Sequence, residues 1–156
     1  MAAAATGWVG FGIAEASGMP GADIVMFECK EPETLKDYHA LVYGCPILDD
    51  CPSDWTLLDH VKSDDMIAFR ATHAIDTQDP QDRALVKDRD IVTVPTPTIA
   101  AWGDEETLSF YQDRHARSSV RFFQESTSGS TKPKTTEELL EEMADGVILL
   151  ANDNYT

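Results

Sequence analysis

Residues 7–12 read GWVGFG, an alternation of large side chains with glycine that strongly constrains how the chain can fold. In a β-strand, alternate side chains point to opposite faces, so Trp8 or Phe11 faces a core while the glycines let another backbone or a flat ligand approach closely. A Gly/Pro turn then presents Met19 just before a second apolar run, Ala22–Phe27. The sequence here predicts a β-hairpin with a methionine at its turn.

Short strand-like runs separated by turn residues follow the hairpin. They are Thr34–Val42, Trp55–Val61, Met66–Ala71, Ile91–Trp102 and Ser118–Phe123. Several short strands at this spacing are typical of an antiparallel β-sandwich, which is the all-β fold class we predict. Pro95 and Pro97 favour an edge strand or a bulge in the fourth run. Asp79 followed by Pro80 predicts one or two helical turns through Val86.

The composition changes after residue 123, which predicts the end of the sandwich domain at 1–123. Residues 124–134 are rich in Ser, Thr, Gly and Lys and are typical of a linker that proteases cut first. Thr135 and Glu138 form a capping box that begins a short C-terminal helix. A short strand at Val147–Leu150 follows. We interpret 135–156 as a connection to a following domain.

The charge of the chain excludes several classes of partner. The net charge of −16 and the pI near 4.3 argue against nucleic acid and against an anionic membrane surface. No run approaches the roughly 18 apolar residues that span a bilayer, so no membrane span is expected. Residues 1–6 lack a basic region followed by an apolar core, so they are not typical of a signal peptide.

The three cysteines do not show whether the chain carries a disulfide or only free thiols. Cys45 and Cys51 flank a short loop that one disulfide closes in an oxidising compartment. The alternative is that these thiols, with Cys29, are free. No Cys-x-x-Cys pair or Cys/His spacing indicates a zinc site.

The hairpin and four later blocks, in this order, resemble the DOMON family, in particular the DOMON domain of dopamine β-monooxygenase-like enzymes. The blocks are GWVGFG with GMPGADIV, Asp37–Ala40, Asp54–Leu58, Asp76–Arg83, and Ala100–Gly103 leading into Leu108–Tyr111. The resemblance spans roughly residues 7–123, and the Asp-Pro-Gln-Asp-Arg run is its most specific part.

The resemblance implies a non-catalytic ligand-binding or interaction module. In that family the module precedes the catalytic domains of a copper type II, ascorbate-dependent monooxygenase in the secretory lumen or outside the cell. The expected partners are those downstream copper domains or a redox partner. Family members carry strands before the GWVGFG block, so we expect the first strands to be missing and the chain to be a fragment. Where relatives commonly carry an interdomain cysteine, this sequence has Gln78.

Two alternative functions stay open. Some DOMON members resemble b-type cytochromes for extracellular electron transfer, in which a methionine of the Gly-Met turn and a late histidine hold haem. Met19 matches that methionine, and His115 is the nearest imidazole because Gln112 stands at the usual position. Trp8 and Phe11 would then line the porphyrin. We expect instead a haem-free protein in which Met19 packs. The other alternative is a sugar- or small-ligand-binding sandwich with a pocket between its sheets.

The histidines do not predict a copper centre. A type II copper site needs several imidazoles around one ion, and the sequence has no His-x-His pair or histidine triplet. We expect His39 to be a hydrogen-bonded structural residue, His60 and His73 to lie at the surface, and no catalytic residue in this chain.

Acidic residues cluster at two places in the sequence. The first group is Asp49, Asp50 and Asp54, and the second is Asp76, Asp79 and Asp82. Calcium prefers several carboxylate and carbonyl oxygens, so the second group is a candidate calcium site. Each aspartate is also a typical turn or cap residue. The basic patch Arg114, Arg117 and Arg121 is expected to pair with the acidic surface.

Overall fold

The computed structural model describes residues 1–16, 18–85, 95–111 and 113–122, and within them it contains strands and turns but no helix. The strands are β1 Ala2–Ala3, β2 Trp8–Ile13, β3 Ala22–Glu28, β4 Thr34–Ala40, β5 Ile47–Leu48, β6 Trp55–Lys62, β7 Ile67–His73, β8 Thr96–Gly103 and β9 His115–Val120. The predicted linker, C-terminal helix and last strand lie outside the described residues.

The strands form two antiparallel sheets. The larger has six strands in the order β5-β4-β3-β2-β8-β9, and the smaller has three in the order β1-β7-β6. The predicted all-β antiparallel sandwich is therefore confirmed. The predicted hairpin is also confirmed, because β2 pairs with β3 from Trp8↔Glu28 to Ile13↔Asp23. All residues of these two strands are buried, which makes them the centre of the molecule.

One face of the six-stranded sheet packs against the three-stranded sheet. Alternate residues of the central hairpin, including Phe11 and Phe27, point into this core and meet Ile67 and Phe69 of β7. The rings of Phe27 and Phe69 stack with their centroids 5.9 Å apart. Burial of these large apolar side chains supplies the main stabilisation between the sheets.

The other face of the six-stranded sheet carries a second apolar cluster. Trp8, Ile24 and Met26 lie on this face, together with Tyr38 of β4. No third sheet covers them in the described residues. They are covered instead by loop residues, which are Met19, Leu108 and Tyr111. The period of two along β2 thus places Trp8 and Phe11 on opposite faces, each buried.

The helical turns predicted from Asp79 are wrong over the described residues, where 80–81 form only a turn. The reason is that the backbone donors after this turn find distant partners. The amide of Arg83 donates to Oδ2 of Asp23 at 3.3 Å, and the amide of Leu85 donates to the Ile75 carbonyl at 2.6 Å. These contacts replace the bonds that a helix would make four residues back along the chain.

The prolines of the fourth predicted run do not place it at a sheet edge. Strand β8 pairs with β2 on one side and with β9 on the other, so the expected edge strand is wrong. Its pairing with β2 covers only Thr98–Gly103, so Pro97 lies beyond that ladder. The missing N–H of Pro97 therefore costs β2 no ladder hydrogen bond.

Candidate ligand pocket and acidic clusters

A pocket of about 270 Å³ opens on the outer face of the six-stranded sheet. Strand register builds its floor, because Gly10 pairs with Met26 on one side and with Ala101 on the other. Ala101 in turn pairs with His115. Two small residues thus lie in one row between a thioether and an imidazole, and Gly12 also lines the pocket. A flat ligand can approach the backbone closely here.

Aromatic rings form one wall of the pocket, with Tyr111 at their centre. Its ring meets the edge of Trp8 at a centroid distance of 6.2 Å and the edge of His115 at 5.8 Å. Phe110 stacks on Tyr111 at 6.1 Å. These contacts favour one orientation of Trp8 and place the exposed His115 beside the same wall.

A buried carboxylate holds the loop that carries these rings. The amide of Leu108 donates to Oε1 of Glu28 at 3.3 Å, and Glu28 is 2 % exposed. Its other oxygen lies 2.5 Å from Nζ of Lys36. Because the buried charge is paired in this way, β3 keeps the loop in place over the pocket.

The rim of the pocket is exposed and mixed in character. Tyr43 and Phe110 are 69 % and 85 % exposed, which is unusual for aromatic residues beside a pocket. Arg117 adds a positive charge to the same lining. The pocket therefore suits a flat, mainly apolar ligand that carries an anionic or acceptor group.

The indole of Trp8 provides a donor without an acceptor. The residue is 1 % exposed, and its Nε1 has no hydrogen-bond partner among the described residues. The ring crosses over Gly103, where a Cβ atom would lie only 2.5 Å from Nε1. A buried N–H that makes no bond costs about 1–3 kcal/mol, so this enclosed donor is a local cost to the fold.

The residues predicted to hold haem fall into two groups. Met19, His115 and Trp8 line the same pocket. Phe11 borders it, but its side chain belongs to the core between the sheets. Gln112 lies outside the described residues. The pocket itself lies on the outer face of a sheet, whereas the sugar-binding alternative placed it between the sheets.

Comparison with known families agrees with this architecture. The family model of the DOMON domain matches residues 1–95. The chain belongs to the DOMON family. DOMON domains are ligand-binding or interaction modules and are typically extracellular. Strands β8 and β9, which complete the pocket of this DOMON domain, lie beyond the matched range. Within the described part of the chain, no helix is apolar and long enough to cross a membrane.

A cluster of three carboxylates, two buried and one partly buried, lies at one end of the sandwich. Oxygen atoms of Asp23, Asp37 and Asp82 lie within 4.8 Å of one another. Asp23 and Asp37 come from neighbouring strands, and the loop after β7 brings Asp82 to them. One oxygen of Asp37 and one of Asp82 have no hydrogen-bond partner among the described residues. Such a cluster either retains protons or holds a cation.

Burial shifts the acidity of this cluster. Loss of solvation raises the pKa of Asp23 to about 6 and that of Asp37 to about 6. For Asp82, burial together with the neighbouring carboxylates raises the pKa to about 7. Hydrogen bonds from Trp55 and from the Arg83 amide act in the opposite direction on Asp23.

His73 was predicted to lie at the surface, and that prediction is wrong. Its side chain is 3 % exposed, and its Nε2 lies 3.4 Å from Oδ2 of Asp23. Burial lowers the pKa of His73, so the neutral imidazole is favoured. The ring also packs on Trp55 with a centroid distance of 4.4 Å. The β-hairpin of β6 and β7 turns this end of β7 toward the buried acids.

The two acidic groups of the sequence interleave in space. Asp82 joins the buried cluster, whereas Asp79 lies with Asp49 and Cys51, again within 4.8 Å. Asp76 instead accepts a hydrogen bond of 3.0 Å from the Gln78 amide. Calcium binding by Asp76, Asp79 and Asp82 remains a prediction.

The cysteines and the other charged residues have simpler roles. All three cysteines are free, Cys29 buried and Cys45 and Cys51 exposed, so the free-thiol alternative describes this structure. Nε2 of His60 lies 2.6 Å from Glu33, and its ring contacts Phe27 while the side chain stays 37 % exposed. Arg114 pairs with Asp104, as expected for the basic patch.

Sequence patterns did not reveal several residues of these sites. Asp23 and Asp37 are charged residues inside strands, at positions whose side chains point into the core. That placement is the signal that could have identified them. Tyr43 and Phe110 gave no such signal, because only the packing of loops brings them to the pocket.

Proposed function

We propose that this DOMON domain is a non-catalytic binding module that carries a flat, mainly apolar ligand in the pocket on its six-stranded sheet. The observation that supports this most directly is the row from Met26 through Gly10 and Ala101 to His115, which leaves a flat floor between two larger side chains. The charge of Arg117 in the lining favours a ligand with an anionic group.

A fluorescent probe of this chemistry tests the proposal. The probe is 1-anilinonaphthalene-8-sulfonate, which is flat, apolar and anionic. A Cβ at Gly10 meets only ordinary contacts, the nearest being Met26 at 3.5 Å, so Gly10→Val keeps the strand while its methyl groups occupy the floor. Binding should weaken by about tenfold, equivalent to about 1.4 kcal/mol.

Thr56→Val on β6 is the matched control, because it introduces the same side chain at an exposed strand position of the other sheet. Probe binding should be unchanged in this variant. Equal binding by Gly10→Val and the wild type, with both folded by circular dichroism, would refute the pocket as the binding site.

A second candidate is a b-type cytochrome domain, and one observation favours it. Met19 and His115 line the same pocket, so a thioether and an imidazole face a floor of small residues. These donors are the pair that binds low-spin haem iron, and the residues present therefore fit the group. Bound haem would supply an iron that takes up and releases one electron. Met19 and His115 would hold it, and Trp8 would exclude water from it.

Haemin titration distinguishes this candidate from the first. Haemin should give a stoichiometric six-coordinate low-spin spectrum with wild-type protein and with Met66→Leu, a methionine outside the pocket lining. Met19→Leu should lose that state and show a lower reduction potential, because the thioether favours ferrous iron. His115→Ala should retain haem less well. Wild-type protein that gives no such spectrum would refute haem binding, while the probe titration still decides the first proposal.

The resemblance of the Asp76–Arg83 block supports a wider context. We propose that the module belongs to a dopamine β-monooxygenase-like protein of the secretory lumen or extracellular space, where it contacts copper domains rather than hydroxylating substrate itself. Longer transcripts of the gene test this directly. Histidine-rich copper domains encoded in frame after Thr156 would support it, and a continuous transcript without them would refute it.

A further inference from the structure

Beside the buried acids lies a second, more accessible group of metal-ligating side chains. Its members, which we call the thiol–carboxylate cluster, are His39, Asp49, Cys51 and Asp79. Atoms of the last three lie within 4.8 Å of one another, and Nδ1 of His39 lies 3.9 Å from Oδ2 of Asp49. The cluster borders a cavity of about 670 Å³, to which Cys51 and Asp79 contribute.

Local backbone contacts hold the cluster together. The Asp49 amide donates to the Asp37 carbonyl at 3.0 Å, so Asp49 extends the short β5 ladder beside His39. The Cys51 amide donates to Oδ1 of Asp49 at 3.1 Å, which turns the thiol back toward that carboxylate. Oδ1 of Asp79 accepts from the Gln81 amide at 2.8 Å. These turns arrange the donors without requiring an ion.

Gln81 ties the two loops of the cluster to each other. With its side-chain nitrogen toward the carboxylates, it donates to Oδ1 of Asp49 at 2.6 Å and to Oδ1 of Asp50 at 2.7 Å. One oxygen of Asp49 is thereby satisfied from both the Gln81 side chain and the Cys51 backbone. The other oxygen of Asp49 is left to face His39.

Two buried atoms of the cluster face each other and have no hydrogen-bond partner among the described residues. They are Nδ1 of His39 and Oδ2 of Asp49. His39 is 8 % exposed, and the side chain of Asp49 is 4 % exposed. Unpartnered buried polar atoms are costly, so their convergence indicates a missing ligand rather than only an acidic surface. The exposed Asp50 and the partly buried Asp54 beside them add a negative field that favours a cation.

The donor types select the class of cation. The sulfur of Cys51 and the carboxylate oxygens of Asp49 and Asp79 lie together, and the imidazole of His39 lies next to Asp49 alone. These are donor types of zinc and similar divalent transition metals, whereas calcium prefers oxygen alone. Tetrahedral zinc places its ligand atoms about 3.3–3.8 Å apart, given bonds of about 2.0–2.3 Å. The 3.9 Å between His39 and Asp49 is already close to that separation. We propose that the thiol–carboxylate cluster binds a divalent transition-metal ion of the zinc class.

Cobalt(II) chloride is a direct probe, because cobalt replaces zinc and reports thiolate coordination. The full chain, kept reduced with a phosphine, should develop a near-ultraviolet thiolate-to-cobalt band that saturates at one equivalent, and zinc chloride should abolish it. Cys51→Ser should remove the band. Cys45→Ser is the matched control, because Cys45 is also exposed and free but lies outside the cluster.

Zinc affinity measured by competition adds a second readout. His39→Asn and Asp79→Asn should each weaken zinc binding by about tenfold or more. Asp79 is only partly buried, so its variant keeps the test valid if the change at buried His39 prevents folding. Four results would overturn the proposal: no cobalt band with the wild type, a band that survives Cys51→Ser, equal loss in Cys45→Ser, or a Cys45–Cys51 disulfide in the unreduced purified chain.

Discussion

The indole Nε1 of Trp55, on the three-stranded sheet, donates a hydrogen bond of 3.2 Å to Oδ1 of Asp23, on the six-stranded sheet. Asp23 is fully buried, so this polar contact joins the two layers inside the sandwich. His73 completes the contact from β7 by packing on Trp55 and approaching the other oxygen of Asp23. The relative position of the sheets is therefore specified by a polar contact as well as by apolar packing.

Trp55→Phe should destabilise the protein by about 1.5–3 kcal/mol at neutral pH, since a hydrogen bond to a charged buried acceptor is lost. Urea denaturation followed by circular dichroism measures the change. Trp102→Phe is the control, because Trp102 packs on the same core from the six-stranded sheet. If both variants lose the same stability, the hydrogen bond contributes nothing beyond packing.

Titration of the buried acids should make stability fall as the pH rises from about 4 to about 7, and the lowered pKa of His73 acts in the opposite direction. In the folded protein the pKa values of Asp23 and Asp37 are raised to about 6 and that of Asp82 to about 7, from an ordinary 3.8. The folded state therefore binds these protons more tightly than the unfolded chain. Their contribution is fully present below pH 3.8 and is lost through the folded pKa values. Urea denaturation across this pH range measures the slope.

Asp82→Asn provides the matched test of that pH dependence. The variant removes one carboxylate from the buried cluster, so the decline in unfolding free energy between about pH 4 and 7 should become shallower. Asp64→Asn is the control, because Asp64 is exposed in the turn between β6 and β7. An unchanged slope in Asp82→Asn would show that the cluster does not cause the dependence.

Alanine should be tolerated at Gly10 but not at Gly12. A Cβ at Gly12 would lie 2.8 Å from Cγ1 of Ile99 and 3.0 Å from Cγ1 of Ile24, so both side chains must move. Overpacking of this kind costs about 1–3 kcal/mol. At Gly10 the contacts are ordinary, and the change in unfolding free energy should stay within about 1 kcal/mol. Thermal unfolding compares the two variants, and equal midpoints would contradict the prediction.

Copper-dependent hydroxylation is not expected from this chain alone. His60 pairs with Glu33 and His115 lies at the pocket, whereas His39 and His73 each lie next to an aspartate. The four imidazoles are therefore not grouped around one position, as a type II copper ion would require. Protein incubated with copper, ascorbate and a phenethylamine should form no more product than copper alone. Turnover that a single histidine substitution abolishes would contradict this expectation.

Local patterns sufficed to predict the strands and the central hairpin. GWVGFG and the continuous apolar run Ala22–Phe27 are separated by a Gly/Pro turn, and this pattern favours two buried strands joined as a hairpin. The helix predicted from Asp79 and Pro80 is wrong because hydrogen bonds to residues distant in sequence outweigh the local helix propensity. The Arg83 amide bonds to Asp23 across 60 residues, and no local pattern contains that partner.

The sequence by itself determined the all-β class, the hairpin and the methionine at its turn, since these depend on neighbours along the chain. Which residues come together at the pocket and at the acidic cluster depends on the tertiary structure alone. Strand register placed Gly10, Ala101 and His115 in one row, and loop packing brought Asp82 to Asp23. Cross-strand pairing joins residues that are distant in sequence, and each pairing is selected by the total burial of the sheet rather than by the residues that meet at the site.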